Sequence, residues 1–230
     1  SLVFLYARYC QFTGSIPTEI STMYNLLVLD FSSNSLSGTV PDSIGQLNTL
    51  YTLDFSDNYL TSTLPTTIGL MASLTGLLFE SNSLSGTFPE FVCNNSKMRN
   101  IKIELNQFTG SIPTCLGSSL DVLILFTVDH NKLSGMIPST LIELTSLESF
   151  IITSNYFTGS LVSPEVLPRT IITIDISGNI FTGSLPMYLF QSTALTVFAG
   201  GSNCFSGSIS SNICQASSLQ TLVLNGYYKY

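Results

Sequence analysis

Residues 171–186 read IITIDISGNIFTGSLP, and both halves of this stretch recur along the 230-residue chain. The second half is a phrase of an apolar residue, Ser or Thr, Gly, any residue, an apolar residue and Pro. Nine copies of this phrase, some of them imperfect, begin at Phe12, Leu36, Leu60, Leu84, Phe108, Leu133, Phe157, Phe181 and Phe205. The interval between starts is constant, except that the step from Phe108 to Leu133 is longer by one position. A fixed period of this length predicts a solenoid of stacked coils.

The first half of the stretch has the pattern L-x-x-L-x-L-x-x-N. Two clean copies are Leu50, Leu53, Phe55, Asn58 and Ile171, Ile174, Ile176, Asn179. The pattern resembles the leucine-rich repeat, and the Ser/Thr-Gly-x-apolar-Pro continuation resembles its plant-type subclass. The resemblance covers essentially the whole chain. It implies an α/β solenoid, a right-handed superhelix with a concave parallel sheet of about ten 24-residue coils, in a single domain 1–230 with 204–230 as its C-terminal end.

The invariant columns of the repeat have structural explanations. A buried Asn amide can donate to and accept from the backbone of neighbouring coils, so no buried polar group stays unpaired. That column comprises Asn34, Asn58, Asn82, Asn106, Asn131, Asn155, Asn179 and Asn203, with Cys10 in the first coil. The glycine of each phrase suits a close backbone approach or a positive φ, and Ser62 interrupts that column. Each proline ends strand pairing and favours a helical turn after it.

The period also places the strands. We expect a parallel sheet from segments near 28–31, 52–55, 76–79, 100–103, 125–128, 149–152, 173–176, 197–200 and 221–224. Short second strands should form around the Ser/Thr-Gly-x phrases, with brief helical turns after the prolines.

Composition argues against several classes of function. Charged residues are only 9% of the chain and the formal net charge is −7, so no basic stripe exists for nucleic acid. The single histidine, His130, has no nucleophile in a recognisable context, and we see neither a metal-ligand cluster nor a phosphate loop. We therefore expect no enzyme activity and no cofactor. No apolar stretch is long enough to cross a membrane and no signal peptide is present. Because residue 1 already falls inside a coil, we expect a mature product or part of a larger chain or assembly that lacks its N-terminal cap.

The five cysteines suggest the cellular compartment. Cys115 follows Cys93 by nearly one coil, so a disulfide between adjacent coils is reasonable. The same stretch resembles late repeats of plant receptor-like proteins, which carry a cysteine pair at this spacing. Cys204 and Cys214 could close a ten-residue loop. The alternative is that all five are reduced core residues. We expect two disulfides, with Cys10 unpaired, and hence an oxidising compartment. Asn94 heads the only N-glycosylation sequon.

Function in a solenoid resides in the strand positions that face outward on the concave sheet. Charged and polar residues of this kind concentrate in the middle coils, and an acidic strip of Asp30, Asp54 and Asp57 extends toward the N-terminal end. The alternative is a solvated face kept soluble by its acids. A docking surface for a protein or peptide with basic groups would comprise Asp54, Asp57, Leu78, Glu80, Lys102, Glu104, Leu105, Asp129 and His130.

A second surface is rich in hydroxyl groups. The residues on either side of each glycine are Ser or Thr in every copy except Met136. If this segment is extended, two parallel columns repeat at roughly 6.6 Å along the strand and roughly 4.8 Å between coils. Such a lattice resembles the Thr-x-Thr arrays of solenoidal ice-binding proteins, although serine, which lacks the methyl group, is as frequent as threonine. Its threonines are Thr39, Thr61, Thr63, Thr87, Thr109, Thr158 and Thr182.

The leading hypothesis is a non-catalytic protein- or peptide-binding module, extracellular or at the cell surface, with neither nucleic-acid binding nor membrane insertion within this chain. The resemblance implies a receptor ectodomain, a cell-wall protein or an inhibitor of a secreted hydrolase. Ice binding stays open as an alternative. A repeat fold does not name its ligand.

Overall fold

A computed structural model describes residues 2–161, 167–209 and 211–226. Its strands, numbered in chain order, alternate between two parallel sheets. The ten-stranded main sheet contains β1 (Phe4–Tyr6), β3 (Val28–Asp30), β5 (Thr52–Asp54), β7 (Gly76–Leu78), β9 (Asn100–Lys102), β11 (Leu125–Thr127), β13 (Ser149–Ile151), β15 (Thr173–Asp175), β17 (Val197–Ala199) and β19 (Thr221–Val223). All nine predicted strands are confirmed, each ending one residue earlier than expected.

Within the described ranges, the second sheet has nine short strands, which confirms the predicted second strands around the Ser/Thr-Gly-x phrases. They are β2 (Thr13–Gly14), β4 (Ser35–Gly38), β6 (Tyr59–Ser62), β8 (Ser83–Thr87), β10 (Gln107–Gly110), β12 (Lys132–Gly135), β14 (Tyr156–Ser160), β16 (Ile180–Gly183) and β18 (Cys204–Phe205).

Short helices complete the coils, as expected for segments that follow a fixed proline φ. The 3₁₀ helices are Thr18–Thr22, Asp42–Gln46, Thr66–Leu70, Glu90–Asn94, Ser139–Leu141 and Ser211–Gln215. Among the described residues, two short α-helices are α1 (Leu116–Ser119) and α2 (Tyr188–Gln191). The helix α1 lies in the one coil that is a residue longer than the others. Asn100 pairs with Leu125 across that coil, one position beyond the usual register of the main sheet, so the turn that contains α1 accommodates the extra residue.

The two sheets differ in register. In the main sheet, neighbouring strands pair residues at the same position of the repeat, as in Leu53 opposite Leu77. In the second sheet, the sequence separation of most paired residues is two positions smaller than a full repeat, as in Thr61 opposite Ser83. Equivalent positions therefore stand side by side in the main sheet, whereas in the second sheet they are offset by two positions from one coil to the next.

The buried asparagine column joins the two sheets, which confirms the role predicted from the sequence. Asn106 donates its Nδ2 to the carbonyl oxygens of Phe79 at 2.8 Å and Ile103 at 3.2 Å. Its Oδ1 accepts from the backbone nitrogen of Leu84, in β8, at 2.9 Å. The same pattern recurs at Asn58, and it satisfies backbone groups that the core would otherwise leave unpaired.

The glycine column has a specific steric cause. The residue after each glycine packs over the glycine of the next coil, so that a Cβ added to Gly86 would lie 2.6 Å from Thr63 Cγ2. Gly86 also has a φ of 93°, in the left-handed region that favours glycine. Ser62 adopts a φ of 70° in the same column and therefore accepts backbone strain that glycine avoids.

One of the two predicted disulfides forms. Cys93 and Cys115 are bonded with a Cα–Cα distance of 5.9 Å, and Cys10 is free and exposed. The second bridge is not formed, because Cys204 and Cys214 are both free and exposed. Cys93 and Cys115 occupy the helical turns of adjacent coils. Cys204, by contrast, lies on β18 and Cys214 in the helix of the same coil, so the two thiols belong to different sides of one coil.

Candidate recognition surface on the main sheet

The main sheet aligns the last residues of its strands into one column. Its register runs continuously through Tyr6, Asp30, Asp54, Leu78, Lys102, Thr127, Ile151, Asp175, Ala199 and Val223. Neighbouring strands lie roughly 4.8 Å apart, so side chains from several coils can contact one ligand. The strands β7, β9 and β11 bring Leu78, Lys102 and Thr127 together at the centre of this column.

An ionic network lies beside these central strands. Lys102 Nζ is 2.5 Å from Glu80 Oε1 and 3.7 Å from Glu104 Oε1. Thr127 Oγ1 donates to Glu104 Oε2 at 2.7 Å. One ammonium group is therefore shared by two carboxylates, one from its own coil and one from the coil before it. This cluster, defined by Glu80, Lys102, Glu104 and Thr127, is called the central cluster below.

Burial and neighbouring charges shift pKa values in the central cluster. Only 16% of the Glu104 side chain is exposed, and this burial raises the pKa of its carboxyl group, a shift that the Thr127 hydrogen bond opposes. Burial acts to lower the pKa of Lys102, but the hydrogen bond and charge of Glu80, with the charge of Glu104, raise that pKa overall. The second oxygen of Glu80, Oε2, is buried without a hydrogen-bond partner among the described residues. The cluster therefore holds a carboxylate whose hydrogen-bonding capacity is not fully used.

The predicted residues next to the central cluster are more exposed. His130 Nδ1 lies 2.8 Å from Asp129 Oδ2, and about half of the His130 side chain is accessible, at 53%. Leu105 exposes 49% of its surface. Leu105 and His130 have φ values of 54° and 51°, as do their equivalents in most other coils, so this backbone strain belongs to the repeat and marks no special site.

The acidic strip predicted toward the N-terminal end is wrong in part. Asp30 is fully buried, pairs with Arg8, and accepts from Ser32 N at 3.0 Å and from Ser32 Oγ at 2.7 Å. Asp54 accepts from Ser56 in the same way, and burial raises the pKa of its carboxyl group. The carboxylates of these acids already have hydrogen-bond partners within their own coil, because a carboxylate on a strand can reach the backbone nitrogen and hydroxyl group two residues ahead.

Sequence reasoning missed these internal pairs, although an Asp-x-Ser spacing was available as a signal at residues 30–32 and 54–56. It also missed the hydrogen bond from Thr127 to Glu104, which forms only through the register of the sheet. Asp57 is exposed, and its Oδ2 accepts from Ser33 Oγ at 3.3 Å.

The remaining predicted site residues lie apart from this surface. Asn94 is exposed at the end of the helix Glu90–Asn94. The seven threonines of the hydroxyl lattice are exposed along the second sheet. Among the described residues, no group of three or more His, Cys, Asp or Glu side chains could hold a metal ion. No helix within the ranges given above is both long and apolar enough to cross a membrane.

Comparisons with known proteins place this geometry in context. The Leucine Rich Repeat family model matches residues 1–23, 25–47 and 49–71. Comparison with curated proteins found no match. Among solved structures, a TDR receptor is 30% identical with a TM-score of 0.88, over 93% of this chain and 37% of that chain.

Two further solved structures that are similar to this chain are those of proteins with a known ligand. The ectodomain of the Arabidopsis receptor kinase HAESA, solved with an extended IDA peptide hormone, is 27% identical with a TM-score of 0.89, over 97% of this chain and 37% of that chain. A plant ice-binding protein is 26% identical with a TM-score of 0.85, over 98% of this chain and 72% of that chain. The chain thus spans little more than a third of each of these two receptor chains. It is a leucine-rich-repeat solenoid of about ten repeats, similar over nearly its whole length to the ectodomains of plant leucine-rich-repeat receptor kinases.

Proposed function

We propose that this chain is a non-catalytic recognition module that binds a peptide or protein with basic groups on the outward face of its main sheet. The site is centred on Glu80, Lys102, Glu104, Asp129 and His130. The observation that carries the proposal is the central cluster itself. Side chains from adjacent coils converge there, and a buried carboxylate oxygen of Glu80 has no partner among the described residues.

The chemistry of the surface suits a basic partner. A guanidinium or ammonium group can form charge-assisted hydrogen bonds with carboxylates, which are stronger than neutral ones. Glu80 and Glu104 are only 16% exposed, so water screens such bonds less than it would on an open surface. Leu78, Leu105 and Ile151 supply apolar contact beside the charges, as in the core of many protein interfaces.

The comparisons support the same class of function. HAESA binds a peptide hormone, and this chain is similar to its ectodomain. The disulfide between Cys93 and Cys115 supports an extracellular or cell-surface location, because such bonds persist in oxidising compartments. Whether the complete protein is a receptor, a cell-wall protein or a hydrolase inhibitor is part of the proposal, and the identity of its partner decides it.

Selection from a random peptide library tests the proposal directly. The immobilised chain should enrich peptides rich in Lys and Arg. Replacing both Glu80→Lys and Glu104→Lys should weaken binding of the selected peptides by at least about tenfold, because charged hydrogen bonds contribute about 1.5–3 kcal/mol each. The double replacement should also slow association and reduce its dependence on salt.

A matched control separates a specific site from general charge. Glu143 and Glu148 are exposed and lie outside the proposed site, so the pair Glu143→Lys and Glu148→Lys introduces the same charge elsewhere. This control should bind like the unmodified chain. Equal weakening by both pairs would reduce the site to non-specific electrostatic attraction, and no enrichment of basic peptides would contradict the proposal.

A further inference from the structure

The register of the second sheet rearranges its hydroxyl groups into rows that the sequence alone does not predict. The expected arrangement, with equivalent positions stacked coil upon coil, is wrong because equivalent residues are offset by two positions. Thr87 lies opposite Thr109, and Ser160 lies opposite Thr182. The residue after the glycine of one coil is thus paired with the residue before the glycine of the next coil. The third member of each row comes from the coil after that, and it is the residue directly after the buried asparagine of that coil.

The N-terminal half of this sheet contains the more uniform rows. We define the N-terminal rows as eight residues on or directly beside β4, β6, β8 and β10, none of which is charged and seven of which bear hydroxyl groups. They comprise Thr39, Thr61, Ser83, Thr63, Ser85, Gln107, Thr87 and Thr109. Within a row, paired residues of neighbouring strands lie roughly 4.8 Å apart. The offset therefore still places hydroxyl groups side by side from one coil to the next.

The C-terminal half is interrupted by larger side chains. Met136, Tyr156 and Ile180 expose 68%, 55% and 44% of their surfaces on this sheet. Tyr156 lies opposite Ser134 and Ile180 opposite Thr158, so apolar groups enter successive rows. Lys132, opposite Thr109, marks the boundary between the two halves. The hydroxyl array is therefore continuous only across the N-terminal rows, and Tyr59, which is 65% exposed and lies opposite Ser37, borders them on the other side.

The N-terminal rows are also held in place by packing. Thr63 Cγ2 lies 2.6 Å from the position of a Cβ on Gly86, and Thr87 Cβ lies 3.6 Å from that of Gly110. Thr109 Oγ1 donates to the carbonyl oxygen of Gly86 at 3.0 Å. Fixed side chains lose little conformational entropy on binding, so they can order a layer of water at low cost. Threonine also contributes a methyl group, and the N-terminal rows contain five threonines.

We infer that the N-terminal rows of the second sheet form an ice-binding surface, separate from the recognition surface on the main sheet. The ligand is the repeating lattice of ice, which a rigid, uncharged array of hydroxyl and methyl groups can match over several strands. The fold is compatible with this function, since a plant ice-binding protein has a TM-score of 0.85 against this chain, which covers 72% of its length.

Two matched double variants test this inference by inhibition of ice recrystallisation. Thr87→Lys with Thr109→Lys alters a facing pair in the N-terminal rows, and Ser160→Lys with Thr182→Lys alters the equivalent pair in the C-terminal half. The unmodified chain should inhibit recrystallisation, the first pair should lose that activity, and the second pair should retain it. Circular dichroism and the Cys93–Cys115 bond would verify the fold of each variant.

The variant pair Thr87→Val and Thr109→Val keeps the side-chain shape and removes only the hydroxyl groups, so it serves if the lysine pair does not fold. It should reduce inhibition, whereas Glu80→Lys with Glu104→Lys on the main sheet should leave inhibition unchanged. No inhibition by the unmodified chain would overturn the inference. Equal loss in both halves, or loss caused by the main-sheet variants, would overturn it as well.

Discussion

The two sheets of this molecule are built from the same repeat, yet they present different surfaces. In the main sheet, Leu53 stands opposite Leu77, so residues at variable positions of successive coils form straight columns. In the second sheet, Thr61 stands opposite Ser83, so each row combines different positions of successive coils. Register, and not the repeat length alone, therefore decides which residues share a surface. Variable charges gather on one sheet and repeated hydroxyl groups on the other.

The turns that connect the two sheets provide the largest expected effect on stability. Replacing both Cys93→Ser and Cys115→Ser removes a bond between adjacent coils, and should lower the free energy of unfolding by about 3 kcal/mol. Urea denaturation measures the change. The matched pair Cys204→Ser and Cys214→Ser, which removes two free thiols, should change it by less than about 0.5 kcal/mol. Similar losses from the two pairs would indicate that the second pair is bonded after all.

The buried asparagine column gives the next largest effect, because it joins the two sheets. Asn106→Ala should lower the free energy of unfolding by about 2 kcal/mol, since it leaves the backbone nitrogen of Leu84 and the carbonyl oxygen of Phe79 without partners. Asn203 makes similar bonds but is only partly buried near the C-terminal end. Asn203→Ala should therefore cost less, because water can replace the lost bonds. Equal costs in chemical denaturation would contradict this account.

The glycine column of the second sheet provides a smaller effect of opposite sign. Ser62→Gly should raise the free energy of unfolding by up to about 1 kcal/mol, because Ser62 occupies the left-handed region at a φ of 70°. The reverse change at an equivalent position, Gly38→Ser, should lower stability by about 1 kcal/mol, since Gly38 has a φ of 80°. If Ser62→Gly were destabilising, Ser62 would be making a favourable interaction that outweighs its backbone strain.

The smallest effect concerns the pH dependence of the main-sheet surface. Burial raises the pKa of Glu104, so between that raised value and its ordinary value the folded chain binds more protons than the unfolded chain. Its contribution to stability therefore increases as the pH falls through the raised pKa. Relative to Glu104→Gln, the unmodified chain should become more stable on acidification from about pH 7 toward the ordinary pKa of 4.5. Urea denaturation at several pH values measures this difference in the free energy of unfolding. A stability advantage over Glu104→Gln that grows as the pH rises would contradict the prediction.

Much of the fold follows from the sequence. The period predicted every main-sheet strand from β3 to β19, and the asparagine column predicted the hydrogen bonds between coils. The stagger of the second sheet was not predictable, because a fixed repeat length is compatible with more than one ladder register. The sequence placed Glu80 and Glu104 on the main sheet. It did not predict their contacts with Lys102 and Thr127, because those contacts also depend on the register of the strands. The burial of Asp30 depends on Arg8, whose side chain crosses from the preceding coil.

The central claim is that recognition takes place on the main sheet. A library-selected basic peptide carrying a photoreactive group, cross-linked to the chain and mapped by mass spectrometry, tests it most directly. We expect cross-links at Leu78, Leu105 and Ile151, beside the central cluster, and their loss in the Glu80→Lys, Glu104→Lys variant. Cross-links confined to the second sheet, at residues such as Met136 or Tyr156, would contradict the account.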